Sequence, residues 1–377
     1  MRLLFIDFTL PYVLRDADFP AGGWATELGN WLRGLAADGH RAGVLTWKGA
    51  RDYVGPNSLC DLLDTYDPAK GIPVAKYFYS YIPKLVMAAR GFEPDVLLQA
   101  TSGLHTGIMA FVAARLGCPF VYRAASDMDV DGRIRNHLRA YERLAYFYGL
   151  RSTASILCQN HYQFSSLRHR LPDKPLHILH NPFRLSDPPP AIRPRSDRAY
   201  VAWLAVFRPL KNLPLLSRLA ASQPQIEFHV AGRPDGELDR PTAEALDLLH
   251  KLRNVSMVGY VRPSQVPDFL SRAAMLLSTS DFEGFSNTFL ESFSVGTPVA
   301  GRSIVDPDGI IGRNSLGISA VGEGELQQGI RSLWEMEASQ YEQMARRCQT
   351  YVAENHAPAA KTAELVGILR SLNAGQP

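Results

Sequence analysis

A chain of 377 residues is longer than a single hydrophobic core normally serves, so two domains are expected. With 46% hydrophobic and 20% charged residues, the composition excludes the disordered and fibrous classes. A net charge of +3 is too small for the basic stripe that nucleic acid needs, so nucleic acid is not an expected partner.

The opening "MRLLFIDFTLPYVL" is apolar, but Asp7 interrupts it and no small-residue cleavage site follows, so it reads as a first strand and not as a leader. Next, "WATELGNWLRGLAADG" sets Trp24, Leu28, Trp31, Leu32 and Leu35 on one helical face, and Gly39 closes that helix. Strand signals follow at "AGVLTW", "DVLLQA", "PFVYRAA" and "ASILCQN", separated by helical stretches such as "GIMAFVAARLG" and "IRNHLRAYERLAYFYGL". This alternation predicts βαβ units around a parallel sheet of about six or seven strands, an α/β fold. After "LHILHNPF", the stretch "RLSDPPPAIRPRSDR" concentrates proline and charge without a periodic apolar face, which marks a linker and a boundary near Ser186.

The pattern restarts with the strand "AYVAWLAVF", the helix "LPLLSRLAAS" and the strands "IEFHVAG", "VSMVGY", "AAMLLSTS" and "TPVAG". A last helix in "AKTAELVGILRSL" carries Leu365, Val366, Ile368, Leu369 and Leu372 on its apolar side. Residues 1–186 and 187–357 are therefore two doubly wound domains, followed by a terminal helical segment, 358–377. Cys60, Cys118, Cys158 and Cys348 stand far apart at no metal or redox spacing and read as reduced thiols of a cytoplasmic protein. No uncharged apolar run reaches the roughly eighteen residues that a bilayer span needs. "KYFYSYIPKLVMAARGF" interleaves aromatics with Lys76, Lys84 and Arg90, a composition that suits either peripheral contact with lipid headgroups or a core helix.

The most informative stretch is "STSDFEGFSNTFLESFSVGTPVAG", which places Glu283 and Glu291 eight positions apart. It reads as a strand, a loop "TSDFEGF" and a helix that starts near Ser286 and ends at Gly296 before Pro298. In open α/β sheets ligands sit beyond the carboxyl ends of strands, where such a helix start faces the crevice. The backbone N–H groups from Phe285 through Ser286 and Asn287 to Thr288 would accept a phosphate or diphosphate, with Gly284 allowing close approach. The two carboxylates flank that position, and each can accept hydrogen bonds from vicinal sugar hydroxyls. Loop and helix glutamates are ordinarily solvated, but Glu291 lies between apolar neighbours, Leu290 and Phe293, on an apolar-rich helix. "FRPLKN" adds Arg208 and Lys211 in the first loop of the same half, placed to neutralise a diphosphate. In the first half, "FPAGGWATELG" puts Gly22 and Gly23 before the first helix, and His105 follows the strand "DVLLQA". A tight turn accounts for the glycines equally well, and a structural role accounts for His105 better than a functional one.

Taken together these residues resemble the retaining glycosyltransferases of family 4 over nearly the whole chain, most specifically through "EGFSNTFLE", which matches the E-x7-E motif. "AGGW", "DGH", "HNPF" and "FRPLKN" support the likeness. The resemblance implies a GT-B fold, two Rossmann-like doubly wound domains facing across a cleft. It also implies an enzyme, a hexosyltransferase that moves sugar from a UDP- or GDP-sugar to a saccharide or lipid-linked saccharide with retention, in polysaccharide or glycolipid biosynthesis. By that similarity Glu291 holds the nucleotide ribose, Glu283 the donor sugar, and Arg208 with Lys211 the diphosphate. Gly259 and Tyr260 lie where the base is held, Gly22 and Gly23 would close over the donor, and His105 would contact the transferred sugar. His105, Glu283, Arg208 and Lys211 form the implied catalytic set, with no metal and no cofactor beyond the donor itself. The chain departs from the family's pattern at Ser286 and Asn212, each where glycine is usual, and at the end of "PFVYRAASDMD", where Arg123 and Asp127 stand in place of a common histidine. The terminal helix would cross back to the first domain, and the protein would be cytoplasmic, at the inner face of the membrane. A sugar-nucleotide epimerase of the same architecture and a non-catalytic nucleotide-sugar-binding subunit are the competing readings.

Overall fold

Strand β1 (Arg2–Ile6) shows why the first half folds as it does: Leu3 and Phe5 enter one apolar cluster while Leu4 and Ile6 enter another. A strand apolar on both faces must be covered on both, which is the situation of a parallel sheet between two helical layers. The computed structural model describes residues 1–19, 22–67, 80–186 and 188–374. The chain divides into two units, one formed by Met1–Ala17, Ala21–Pro182 and Pro358–Pro377, the other by Asp18–Pro20 and Phe183–Ala357.

In the first unit β1, β2 (Arg41–Thr46), β3 (Asp61–Asp64), β4 (Val96–Ala100), β5 (Phe120–Arg123), β6 (Ser155–Cys158) and β7 (Leu176–Ile178) form one sheet in the order β3-β2-β1-β4-β5-β6-β7. Every pairing is parallel. The helices Gly23–Ala37 and Pro358–Ala374 serve one face, where Trp31, Leu32, Leu35, Leu365 and Leu369 are buried together. They approach closely: a Cβ on Gly34 would stand 2.2 Å from the Thr362 hydroxyl oxygen, so a larger residue there would force the Thr362 side chain to move. The helices Ile82–Phe92, Leu104–Leu116, Ala140–Ser152 and His161–Arg170 serve the other face through Leu85, Met109, Tyr146 and Leu167.

The second unit repeats the plan with β8 (Tyr200–Leu204), β9 (Phe228–Ala231), β10 (Val255–Gly259), β11 (Ala273–Ser278), β12 (Val299–Arg302) and β13 (Gly317–Ala320), all parallel in the order β10-β9-β8-β11-β12-β13. Two apolar clusters again cover its two faces. In each sheet the strand order reverses once, between β1 and β4 in the first unit and between β8 and β11 in the second. That reversal is the switch point at which α/β sheets open a crevice.

Three strands escape the sequence reading: β3 and β13, four residues each, and β7, three residues long, all too short for a clear period. Of the aromatic and basic stretch, residues 68–79, including Lys76, lie outside the described residues. The remainder forms Ile82–Phe92, which buries Leu85, Ala89 and Phe92 and exposes Lys84 and Arg90. Among the described residues no helix is long and apolar enough to cross a membrane, and all four cysteines are free.

Candidate active site

The loops that follow β8 and β11 flank the switch point of the second unit, and they carry the basic and acidic residues singled out above. After β8 the chain reaches Arg208, makes a short turn at Pro209–Lys211, and enters the helix Leu213–Ala221 through Asn212. Asn212 has φ +52°, the left-handed region that glycine fills without strain and asparagine tolerates better than other side chains. This explains the departure from glycine, because the amide also works: its oxygen accepts the Leu215 N–H at 3.0 Å and its nitrogen donates to Asp281 at 2.9 Å.

After β11 the chain passes through Asp281 and Glu283 to the helix Asn287–Ser294. Ser286 is the N-cap residue, with φ −73° and no side-chain cap hydrogen bond, so serine sits without strain where glycine is usual. The helix closes at Gly296, φ +68°, where a Cβ would stand 3.1 Å from Ile192 and 3.3 Å from Ala345.

The two loops meet through side chains. Lys211 forms an ion pair with Glu283, both largely shielded at 21% and 17% exposure. Arg302, at the end of β12, donates to Asp281 at 2.6 Å, so Asp281 ties Asn212 to Arg302. Thr279 donates to the Lys211 carbonyl at 2.7 Å and accepts from the Trp203 indole at 2.9 Å. Lys211, Glu283, Ser286 and Thr288 line one open depression of about 300 Å³, solvent included, together with Trp203 and Thr279. Sequence reasoning missed Trp203, Thr279, Asp281 and Arg302. Thr279 and Asp281 stand inside the quoted stretch, but their partners lie 68 and 69 positions away.

The other expected donor residues are placed differently. Arg208 pairs with Asp235, and both are nearly half exposed. Glu291, one turn beyond Thr288, is not among the residues lining the depression. Burial pushes its carboxyl up to about 7, and among the described residues it has no ion pair or side-chain hydrogen bond. Gly284 is buried and the Phe285 ring belongs to the core, 5.2 Å from the His356 ring. Gly259 ends β10 with φ +78°. The Tyr260 hydroxyl donates to the Phe19 carbonyl at 2.7 Å, and Arg233 stacks 4.7 Å above its ring.

In the first unit, Gly22 caps the helix Gly23–Ala37 with φ −68°, and a Cβ there would meet nothing within 4 Å, so neither backbone nor packing demands glycine. His105 enters the helix Leu104–Leu116 just after β4, with its Nε2 2.6 Å from the Tyr81 hydroxyl and its ring among those of Phe8 and Tyr81. Burial lowers its pKa to about 4, leaving the imidazole neutral at physiological pH. Nearby in the fold is a buried network that the sequence did not announce. Arg123 pairs with Glu27 and donates to Leu179 and Asn181, and Glu27 also accepts from Trp31 and Gln159.

Residues 189–352 match the family described as Glycosyl transferases group 1. No curated protein matches the sequence. Among solved structures, the HepE protein of Anabaena in complex with UDP-glucose aligns at 16% identity with a TM-score of 0.75, over 98% of this chain and 100% of that one. Sucrose-phosphate synthase from Thermosynechococcus elongatus aligns at 16% identity and 0.76 over 100% of both. TarM of S. aureus, in a complex containing UDP, aligns at 10% identity and 0.74 over 98% and 99%. The chain has the GT-B fold of two parallel-sheet, Rossmann-like domains, and the family match over the second unit supports a glycosyltransferase.

Proposed function

We propose that the protein transfers a glycosyl group from a nucleotide diphosphate sugar, UDP-sugar foremost, to a hydroxyl of a saccharide or lipid-linked saccharide. The observation that carries this reading is the Lys211–Glu283 pair beside the start of the helix Asn287–Ser294, in a depression at the switch point. A cation and a helix N-terminus together suit a diphosphate, and a carboxylate beside them suits sugar hydroxyls.

In this reading Lys211 exchanges part of its contact with Glu283 for the diphosphate, and Arg208 leaves its exposed partner Asp235 to join it. The bond from the anomeric carbon to the phosphate oxygen breaks, and charge accumulating on that oxygen is stabilised by the two cations and the helix start. The acceptor oxygen attacks from the same face, and its proton passes to the departing phosphate, which retains the anomeric configuration. Glu283 holds the sugar. Glu291, desolvated and without a side-chain partner among the described residues, gains one from the ribose hydroxyls. Gly259 and Tyr260 approach the base through backbone, and His105, as a neutral imidazole, contacts the transferred sugar. No metal enters this scheme. Growth of a polysaccharide or glycolipid at the inner face of the membrane is the setting we favour.

Incubating the full chain with labelled UDP-glucose, other UDP-sugars and GDP-sugars, with saccharide acceptors, tests the reading. Label moved to an acceptor supports it. Release of an epimer would replace it with the epimerase reading, and tight binding without turnover would leave a nucleotide-sugar-binding subunit. Thermal stabilisation by UDP, GDP and ADP ranks the bases, since a ligand of the folded state raises its melting point.

A further inference from the structure

The helix Ala140–Ser152 is apolar on the side where a surface helix is ordinarily polar. Its inward side is supplied by Tyr146, Gly149 and Leu150, all buried. A Cβ on Gly149 would stand 2.6 Å from the Thr106 carbonyl oxygen, so this side already lies tightly against the neighbouring helix. The core is thus served without Tyr141, Leu144 and Tyr148, which follow one another three and four residues apart and are 50%, 73% and 49% exposed. One exposed leucine needs no explanation, whereas a stripe of exposed apolar side chains rimmed by polar residues marks an interaction surface.

The charges are lopsided. From Arg139 to Arg151 the segment holds three arginines and one carboxylate, Glu142. Glu142 is engaged, accepting the Arg139 backbone N–H at 2.9 Å. Arg143 and Arg151 are exposed, and among the described residues their side chains have no hydrogen bond or ion pair. At about 100° per residue, Arg151 falls beside the apolar stripe and Arg143 roughly a quarter-turn from it.

We propose that this face docks on an anionic phospholipid surface, with Leu144 at the headgroup–acyl boundary, the two tyrosines at headgroup level and the arginines on lipid phosphates. A second copy of the chain fits less well, because a two-fold contact through this face sets arginine against arginine. Leu144, the most exposed member of the stripe, has no stacking surface, which favours hydrocarbon over nucleobases. The inference deepens the membrane setting proposed above by naming the surface that makes the contact, and its test requires neither donor nor acceptor, so it can fail while the transfer reaction stands.

The test is co-sedimentation of the full chain with vesicles of phosphatidylglycerol and phosphatidylcholine mixed, and of phosphatidylcholine alone. Binding is expected to the mixed vesicles, to weaken with salt, to fall about five-fold for each arginine removed in R143Q and R151Q, and to fall about ten-fold or more in L144E. Thermal melts that match the parent show that these surface variants fold. Absence of binding, binding equal on both vesicle types, or binding retained by folded L144E and by R143Q/R151Q would overturn the proposal. So would light scattering that shows a dimer broken by L144E in a chain that ignores vesicles.

Discussion

The two switch points share a topology and differ in what occupies them. In the first unit, the loop after β4 leads to His105, which packs against Phe8 and Tyr81, and a buried Glu27–Arg123 network ties strand ends to the helix Gly23–Ala37. In the second, the loops after β8 and β11 leave an open depression whose ion pair, Lys211–Glu283, stays partly accessible. A buried pair that satisfies its own hydrogen bonds fixes geometry, whereas a largely but not fully shielded pair beside a helix start can exchange partners with a ligand. The same strand order thus carries a buried, self-satisfied charge network in one unit and a partly accessible ion pair in the other.

The largest expected effect tests the buried network. Arg123→Met leaves Glu27 buried without its cation, and urea denaturation should show a loss of about 3–5 kcal/mol. A loss below about 1 kcal/mol would remove the contrast. Next, Lys211→Ala should lower kcat about 10²- to 10³-fold in a labelled-donor assay, the usual effect of deleting one group that stabilises developing charge, while the melting curve moves little. An unchanged kcat would shift the site away from this pair.

Titration sharpens the comparison, because the two units respond to pH in opposite senses. Glu291 has its carboxyl raised to about 7, so its contribution is full below the ordinary carboxylate range and is lost as pH rises to 7. Glu291→Gln should abolish that decline, on the order of 2 kcal/mol. It should also abolish a tightening of UDP binding, read by calorimetry, as pH rises through 7. His105 has its pKa lowered to about 4, so its contribution is present above the ordinary histidine range and is lost as pH falls from there toward 4. His105→Asn should flatten that acid limb in thermal melts taken from pH 5 to 7, a window covering only part of the transition and hence a smaller effect. If the two limbs respond to the same variant, the units are not separable in this way.

The smallest effect belongs to Asn212. Asn212→Gly should cost only a few tenths of a kcal/mol, since glycine adopts the left-handed backbone freely, whereas Asn212→Ala loses the cap and strains φ +52°, about 2 kcal/mol by thermal denaturation. Equal costs for both would mean that the lost amide, and not the left-handed turn, is what matters there.

Much of the fold was legible in the sequence because its signals are local. Apolar runs such as "RLLFI" and "AAMLLS" become strands wherever helices cover both faces, and "EGFSNTFLE" becomes loop and helix through its own glycine, serine and periodicity. By itself the sequence determined the parallel α/β class, the strand–loop–helix around Glu283 and Glu291, and the loop carrying Arg208 and Lys211. Tertiary structure alone decided which charges meet: Lys211 with Glu283 across 72 positions, Arg123 with Glu27 across 96, and Asp281 between Asn212 and Arg302. It also decided that Tyr141, Leu144 and Tyr148 face outward, since periodicity marks a stripe as apolar without saying which side the sheet will cover. The physical reason is that backbone preference acts over a few neighbours, whereas ion pairing and burial depend on which strands lie adjacent in the sheet.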